Sequence, residues 1–122
     1  MSISLAPPVP ILRSFDEAKA REFYLGFLGF AWDWEHRFAP GLPLYAQVSR
    51  GGLVLHLSEH HGDASPGAAL RVRVGGLAAL HAELAGKAYG NARPGIEQMP
   101  WGERAMVVQD PFGNRLHFVE PA

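Results

Sequence analysis

The stretch LHLSE at residues 55–59 returns as LHFVE at residues 116–120, 61 positions later. This distance is half of the 122-residue chain, which indicates an internal duplication. Each half is too short to bury one face of a sheet by itself, so the two halves must share a core within the chain or across a dimer. The sequence predicts a single domain over 1–122, with one module at about 9–60 and a second at about 68–120.

The first half follows the order strand, helix and three strands. A short strand at 9–12 contains a proline, which is typical of an edge strand. Apolar side chains then recur at intervals of three and four residues, which predicts a helix from Glu17 to the glycine at 29. Strands bounded by glycine-containing turns are predicted at 30–38, 44–49 and 53–58.

The second half repeats this order. The sequence predicts a strand at 69–74 and a helix at 77–88. Further strands are predicted near Ile96, at 105–109 and at 115–120, the last two joined by the turn DPFGN. The predicted fold class is α+β, with two βαβββ modules.

The composition excludes several classes of function. Hydrophobic residues make up 48% of the chain and charged residues 19%, which is ordinary for a globular domain and unlike a disordered one. A net charge of -1 leaves no general positive field to hold nucleic acid. Without cysteine there is no disulfide, thiolate nucleophile or cysteine-bound metal. No signal sequence or run of about 20 apolar residues is present, and we expect a cytoplasmic protein without a membrane partner.

Several motifs carry a family resemblance. The stretches FYLGFLGF at 23–30 and DPFGNRLHF at 110–118, with the doubled βαβββ order, resemble the vicinal oxygen chelate superfamily of glyoxalases and bleomycin resistance proteins. The segments EQMPWGE at 97–103 and VPIL at 9–12 are more similar to the bleomycin resistance proteins than to the metalloenzymes. The resemblance covers nearly the whole chain. It implies two curved sheets that form a cleft, and a homodimer whose N-terminal strand is exchanged around a proline, here Pro10.

His56 and His117 are the candidate metal ligands. The two-residue period of a strand places them opposite the neighbouring leucines, and the resemblance implies that superfamily enzymes hold a metal at these positions. The enzymes take further ligands from the first strand of each half, where this chain has Val9 and Ala69. Two histidines are fewer than the three protein ligands of a typical catalytic metal site. We therefore predict a binding protein without a cofactor; the alternative is a metal-dependent glyoxalase-type lyase or isomerase, or a dioxygenase-like enzyme, that uses both histidines.

Aromatic side chains provide the candidate ligand site. Trp32 and Trp34 share a face by the two-residue period, so they could stack on a ligand or belong to a dimer core. The resemblance implies that Trp101 and Phe38 line the drug groove, since both occupy positions that match groove aromatics of the resistance proteins. The predicted ligand-binding residues are Trp32, Trp34, Phe38, Tyr45, His56, Trp101, Glu103 and His117.

The resemblance implies that the protein sequesters an aromatic, antibiotic-like molecule without catalysis. Drug-binding relatives carry acidic residues before the groove aromatic, whereas this chain has EHR at 35–37. A basic side chain at the rim, here Arg37, would attract a polycation poorly, which argues against bleomycin itself. A further alternative is an interaction module whose groove has lost its ligand.

Overall fold

The two halves of the chain each form one four-stranded sheet. A computed structural model describes residues 2–87, 89–90 and 93–122. The strands are β1 (Ile11–Arg13), β2 (Ala31–His36), β3 (Tyr45–Arg50), β4 (Leu53–Ser58), β5 (Ala69–Arg73), β6 (Ile96–Met99), β7 (Glu103–Gln109) and β8 (Arg115–Pro121). The first sheet has the order β1-β4-β3-β2 and the second has the order β5-β8-β7-β6. In each sheet the first strand runs parallel to the last and the other pairs are antiparallel, which confirms the two βαβββ modules.

One helical segment follows the first strand of each module. The helix α1 (Glu17–Arg21) continues directly into a wider π-helical segment at Glu22–Phe27, and α2 covers Leu77–Ala85. The second helix is therefore shorter than the segment 77–88 predicted from the sequence, whose last residue lies outside the described residues. No helix in the described ranges is long and apolar enough to cross a membrane.

The two helices begin with different caps. Asp16 precedes α1 and its side chain accepts a hydrogen bond from the backbone N–H of Lys19 at 3.0 Å. Gly76 precedes α2 with a φ of 90°, a left-handed conformation that glycine adopts without strain. The carboxylate of Glu120 on β8 accepts from the backbone N–H groups of Gly76 and Leu77, both at 3.2 Å. The last strand of the second sheet therefore caps the helix that packs on it.

Both modules contribute to one hydrophobic core. The cluster contains side chains from the apolar faces of both sheets and from both helices. Phe23, Tyr24 and Phe27 of the first helical segment are its largest fully buried side chains. Because each sheet turns its apolar face to this shared core, the core forms within a single chain.

The turn between β7 and β8 connects the two modules through polar contacts. The buried carboxylate of Asp110 accepts from the Tyr24 hydroxyl at 2.6 Å and from the backbone N–H groups of Phe112 and Asn114 at 2.9 Å. The side-chain amide of Asn114 donates to Asp110 and to the backbone carbonyl of Arg13, both at 2.8 Å. Burial and the neighbouring carboxylate raise the pKa of Tyr24, so its hydroxyl remains a donor. The motif DPFGN therefore links the second module to both the π-helical segment and β1.

A β-bulge in β2 separates two tryptophans that the sequence placed on one face. Trp32 is paired with Val48 on β3, while Trp34 is paired with the next residue, Gln47, so Asp33 is an extra residue in the ladder. Trp32 consequently packs against the core side of the sheet, and Trp34 lies on the other side. The prediction that Trp32 and Trp34 share a face is wrong, because the two-residue period does not continue through a bulge.

Candidate functional site

Each sheet has an open face on the side opposite the shared core. The open face of the first sheet carries Trp34, Tyr45, Gln47 and His56. The open face of the second sheet carries Arg71, Arg73, Glu97, Glu103, Arg115 and His117. Because both apolar faces turn inwards to one core, the two open faces point outwards. Among the described residues no hydrogen bond or aromatic contact joins one open face to the other.

Three rings cluster on the open face of the first sheet. The Trp34 indole stacks on the Tyr45 ring with a centroid distance of 6.0 Å and an interplanar angle of 13°. The His56 imidazole meets the edge of both rings, at 5.3 Å from Trp34 and 5.2 Å from Tyr45. The structure thus brings together three of the predicted ligand-binding residues as a preformed aromatic surface.

A hydrogen-bond chain holds the imidazole ring of His56 in place. The Gln47 amide nitrogen donates to the Asp33 carboxylate at 3.0 Å, so the Gln47 carbonyl oxygen faces His56 Nε2, also at 3.0 Å. An oxygen of this kind only accepts, so Nε2 carries a proton, and Nδ1 is hydrogen-bonded to the Tyr45 hydroxyl at 2.6 Å. Burial and the negative charge of Asp63 raise the pKa of Tyr45, which keeps this hydroxyl protonated. Both ring nitrogens of His56 are therefore engaged by neighbouring side chains.

The described residues do not fit a catalytic metal. His56 would have to give up a hydrogen bond to Tyr45 or Gln47 before either nitrogen could coordinate an ion. His117 lies on the open face of the other sheet, not beside His56. Within residues 2–87, 89–90 and 93–122, no three His, Cys, Asp or Glu side chains are grouped as metal ligands.

Phe38 follows β2 and extends into solvent. Its side chain is 76% exposed, and its ring contacts His36 at 4.7 Å and His60 at 6.1 Å. The sequence predicted that Arg37, beside Phe38, presents a free positive charge at the rim, and the structure shows that it does not. Its guanidinium contacts the Glu17 carboxylate of α1 at 2.8 Å. The Arg37 charge is therefore compensated on the helix side of the sheet.

Trp101 stands at the edge of the open face of the second sheet. Its indole is 66% exposed, and its N–H donates to the Glu103 carboxylate at 2.9 Å. Arg71 reaches across the sheet from β5 and donates to the other oxygen of Glu103 at 2.6 Å. The hydrogen bond from Trp101 is the main cause of the lowered pKa of Glu103, and Arg71 lowers it further. The Glu103 carboxylate therefore stays ionised. His117 lies in register with Arg71 on the same face.

The structure also contains a groove between the modules that the sequence analysis missed. It has a volume of about 1050 Å³ and lies between the N-terminal segment 7–10, the start of β4, and β5 with α2. The N-terminal arm before it, residues 2–6, forms no helix or strand, and its side chains Ile3 and Leu5 are 89% and 91% exposed. The sequence shows the apolar residues of the N-terminal segment and of β5, but these residues are far apart along the chain. The sequence alone therefore does not indicate that they line one groove.

A family comparison identifies the fold. Residues 2–122 match the model of a glyoxalase superfamily protein. The chain belongs to the glyoxalase superfamily. The match confirms the family resemblance seen in the sequence motifs, and it covers both modules of the chain. A comparison with curated proteins finds no match.

Solved structures similar to this superfamily protein include both binding proteins and an enzyme. A bleomycin-binding protein from Streptomyces verticillus, crystallised with copper(II)-bleomycin, is 30% identical; the match covers 96% of this chain and 97% of that chain, with a TM-score of 0.72. An antibiotic-binding protein from Streptomyces sp. CB03234 is 25% identical over 100% and 99% of the two chains, with a TM-score of 0.70. A glyoxalase-related enzyme from Clostridium phytofermentans is 21% identical over 98% of both chains, with a TM-score of 0.76. At the last identity the likeness shows a common fold only.

Proposed function

We propose that this glyoxalase-superfamily protein binds a planar, antibiotic-like small molecule and sequesters it without changing it chemically. The observation that carries the proposal is Trp101, a largely exposed indole whose orientation is fixed by Glu103 and Arg71. A large apolar ring costs free energy when it faces water, and it regains that energy when a flat ligand covers it. The antibiotic-binding relatives at 25% and 30% identity support a binding role of this kind.

The chemistry of the open faces supports binding over catalysis. His56 is the strongest candidate for an acid, base or metal ligand, and both of its ring nitrogens already contact hydrogen-bond partners, Tyr45 and Gln47. The exposed rings of Trp34 and Phe38 offer contact area, and the proposal needs no cofactor. In this role His56 orients Tyr45 and Gln47, and Phe38 stacks on the ligand.

We propose that the working unit is a homodimer. The two open faces point outwards in one chain, so a second copy is needed for both to enclose one ligand. The N-terminal arm, with its exposed Ile3 and Leu5, would cross to the partner around Pro10 and cover apolar surface there. Light scattering tests this: a dimeric mass is expected, and removal of residues 2–6 should shift it towards the monomer.

Trp101→Ala tests the binding role. Trp101 packs little against the rest of the chain, so this variant should retain the unfolding temperature of the parent. We expect its affinity for an anthraquinone probe, measured by calorimetry, to fall about tenfold, equivalent to about 1.4 kcal/mol of lost stacking. Trp32→Phe is the matched control, because Trp32 lies on the core side and its change should leave affinity unaltered. Equal affinity of the parent and Trp101→Ala would refute the proposal.

Sequestration and catalysis differ in stoichiometry. A sequestering protein protects a sensitive bacterium only up to one drug molecule per site, and the drug is recovered intact by chromatography. An enzyme would clear an excess of drug and give a new product. Turnover of the probe beyond one equivalent would therefore overturn the non-catalytic proposal while leaving binding itself intact.

A further inference from the structure

The open face of the second sheet carries a row of arginines. Arg71 and Arg73 point to this face from β5, and Arg115 starts the neighbouring strand β8. Arg115 is in register with Ala69, two residues before Arg71. Alternate residues on a strand are about 6.6 Å apart and neighbouring strands about 4.8 Å apart, so Arg71 lies about 6.6 Å from Arg73 along β5 and about 8 Å from Arg115 on the diagonal to β8. The three arginines form a positively charged stripe along one side of the open face.

The carboxylates on the same face leave part of this charge uncompensated. Glu103 pairs with Arg71 and also accepts the Trp101 hydrogen bond. Glu97 lies on β6, at the opposite edge of the sheet from β5. In the part of the chain that the structure describes, Arg73 and Arg115 have no carboxylate within 4.0 Å. Residues 2–10 contain no charged side chain, so an exchanged N-terminal arm would not neutralise them either.

From this arrangement we infer that the ligand is an acid. A planar aromatic molecule that carries a carboxylate or sulfonate would stack on Trp101 and place its negative group at Arg73, beside Arg71. Neighbouring strands are about 4.8 Å apart, so β5 lies about 10 Å from β7, which begins two residues after Trp101. A fused ring system with one acidic substituent has a length of about this size. The inference rests on the proposed binding role and specifies the chemical class of the ligand.

The same charges disfavour a cationic ligand. Arg37, which the sequence placed at the groove, is paired with Glu17 and has no part in this selection. The discrimination comes from Arg73 and Arg115, because neither forms an ion pair within 4.0 Å in the described residues and a polycation on this face would meet both charges. Arg73 is offset only in part, through its longer-range attraction to Glu103. Nucleic acid, a polyanion, is a poorer fit than a small acid, since the chain as a whole has a net charge of -1.

Calorimetry with three matched probes tests the inference on the whole 122-residue chain. The probes are anthraquinone-2-sulfonate, the neutral 2-hydroxymethyl anthraquinone and the cationic 2-aminomethyl anthraquinone, which share one ring system. We expect the sulfonate to bind about fivefold or more tightly than the neutral probe, and the preference to decrease as salt is added. Arg73→Gln should weaken sulfonate binding about fivefold and leave binding of the neutral probe unchanged. Arg93→Gln removes the same charge from an exposed loop and should change neither.

The outcomes separate this inference from the proposed function. The inference would be overturned if the neutral or cationic probe bound as tightly as the sulfonate or more tightly. It would also be overturned if the Arg73 and Arg93 substitutions had equal effects. Either result would leave the proposed binding role intact. If none of the three probes shows saturable binding, the proposed function falls and the inference falls with it.

Discussion

Tyr24→Phe removes a single hydroxyl from the contact that joins the two modules. The hydroxyl lies 2.6 Å from the Asp110 carboxylate, and both residues are buried. Asn114 still donates to the same carboxylate oxygen, so the substitution deletes one bond to a charged acceptor and leaves that oxygen partly satisfied. Hydrogen bonds to charged groups contribute about 1.5–3 kcal/mol, and we expect the free energy of unfolding to decrease by that amount.

Urea denaturation followed by circular dichroism measures this loss. With an m-value of about 1.5 kcal/mol/M, the midpoint should move down by about 1–2 M while m stays constant. Tyr89→Phe is the matched control: its ring stacks on Phe27 at 4.7 Å, and its hydroxyl makes no hydrogen bond within the described residues. A Tyr24→Phe midpoint within experimental error of the Tyr89→Phe midpoint would refute the reasoning. A second unfolding transition in the variant would show instead that the modules had become independent.

Two further predictions concern ion pairs and pH. The hydrogen bonds from Arg50 are the main cause of the lowered pKa of Glu83. The hydrogen bond from the Leu77 backbone N–H is the main cause of the lowered pKa of Glu120. A carboxylate whose pKa is lower in the folded state than in the unfolded state contributes its full stabilisation above the unfolded pKa of about 4.5. This contribution is lost as the pH falls through the folded-state pKa. The urea midpoint should therefore drop steadily below about pH 4.5. Glu120→Gln removes the charge from the α2 cap and the ion pair with Arg104, and should lower the midpoint at pH 7, unlike Glu97→Gln on an exposed edge. A midpoint that is flat from pH 6 to pH 3, or equal midpoints for the two Gln variants, would contradict this account.

Features encoded locally were predictable from the sequence. The duplicated strand containing His56 and His117 indicated two modules, and the DPFGN motif indicated the turn that the structure shows. The open-face positions of both histidines also followed from the two-residue period, since no bulge interrupts β4 or β8.

The remaining features depend on contacts between distant residues. The sequence placed Arg37 at the groove because Phe38 follows it, but its partner Glu17 lies 20 residues earlier on a helix. The pairing of Arg71 with Glu103, 32 residues away, likewise required the strand order of the second sheet. Charge compensation across such separations cannot be derived from neighbours along the chain.

The extra residue in β2 shows how such a binding surface could change through insertion and deletion. Asp33 adds a carboxylate to the open face, where Gln47 binds it, while Trp32 and Trp34 keep the positions they would have in a regular ladder without it. Deletion of Asp33 would remove one negative charge, and Trp32 would stay on the core side of the sheet while Trp34 stays on the open face. A one-residue deletion anywhere else in the strand would reverse the side chains beyond it. Strand length at this one position can therefore vary between homologues while the surrounding site is preserved.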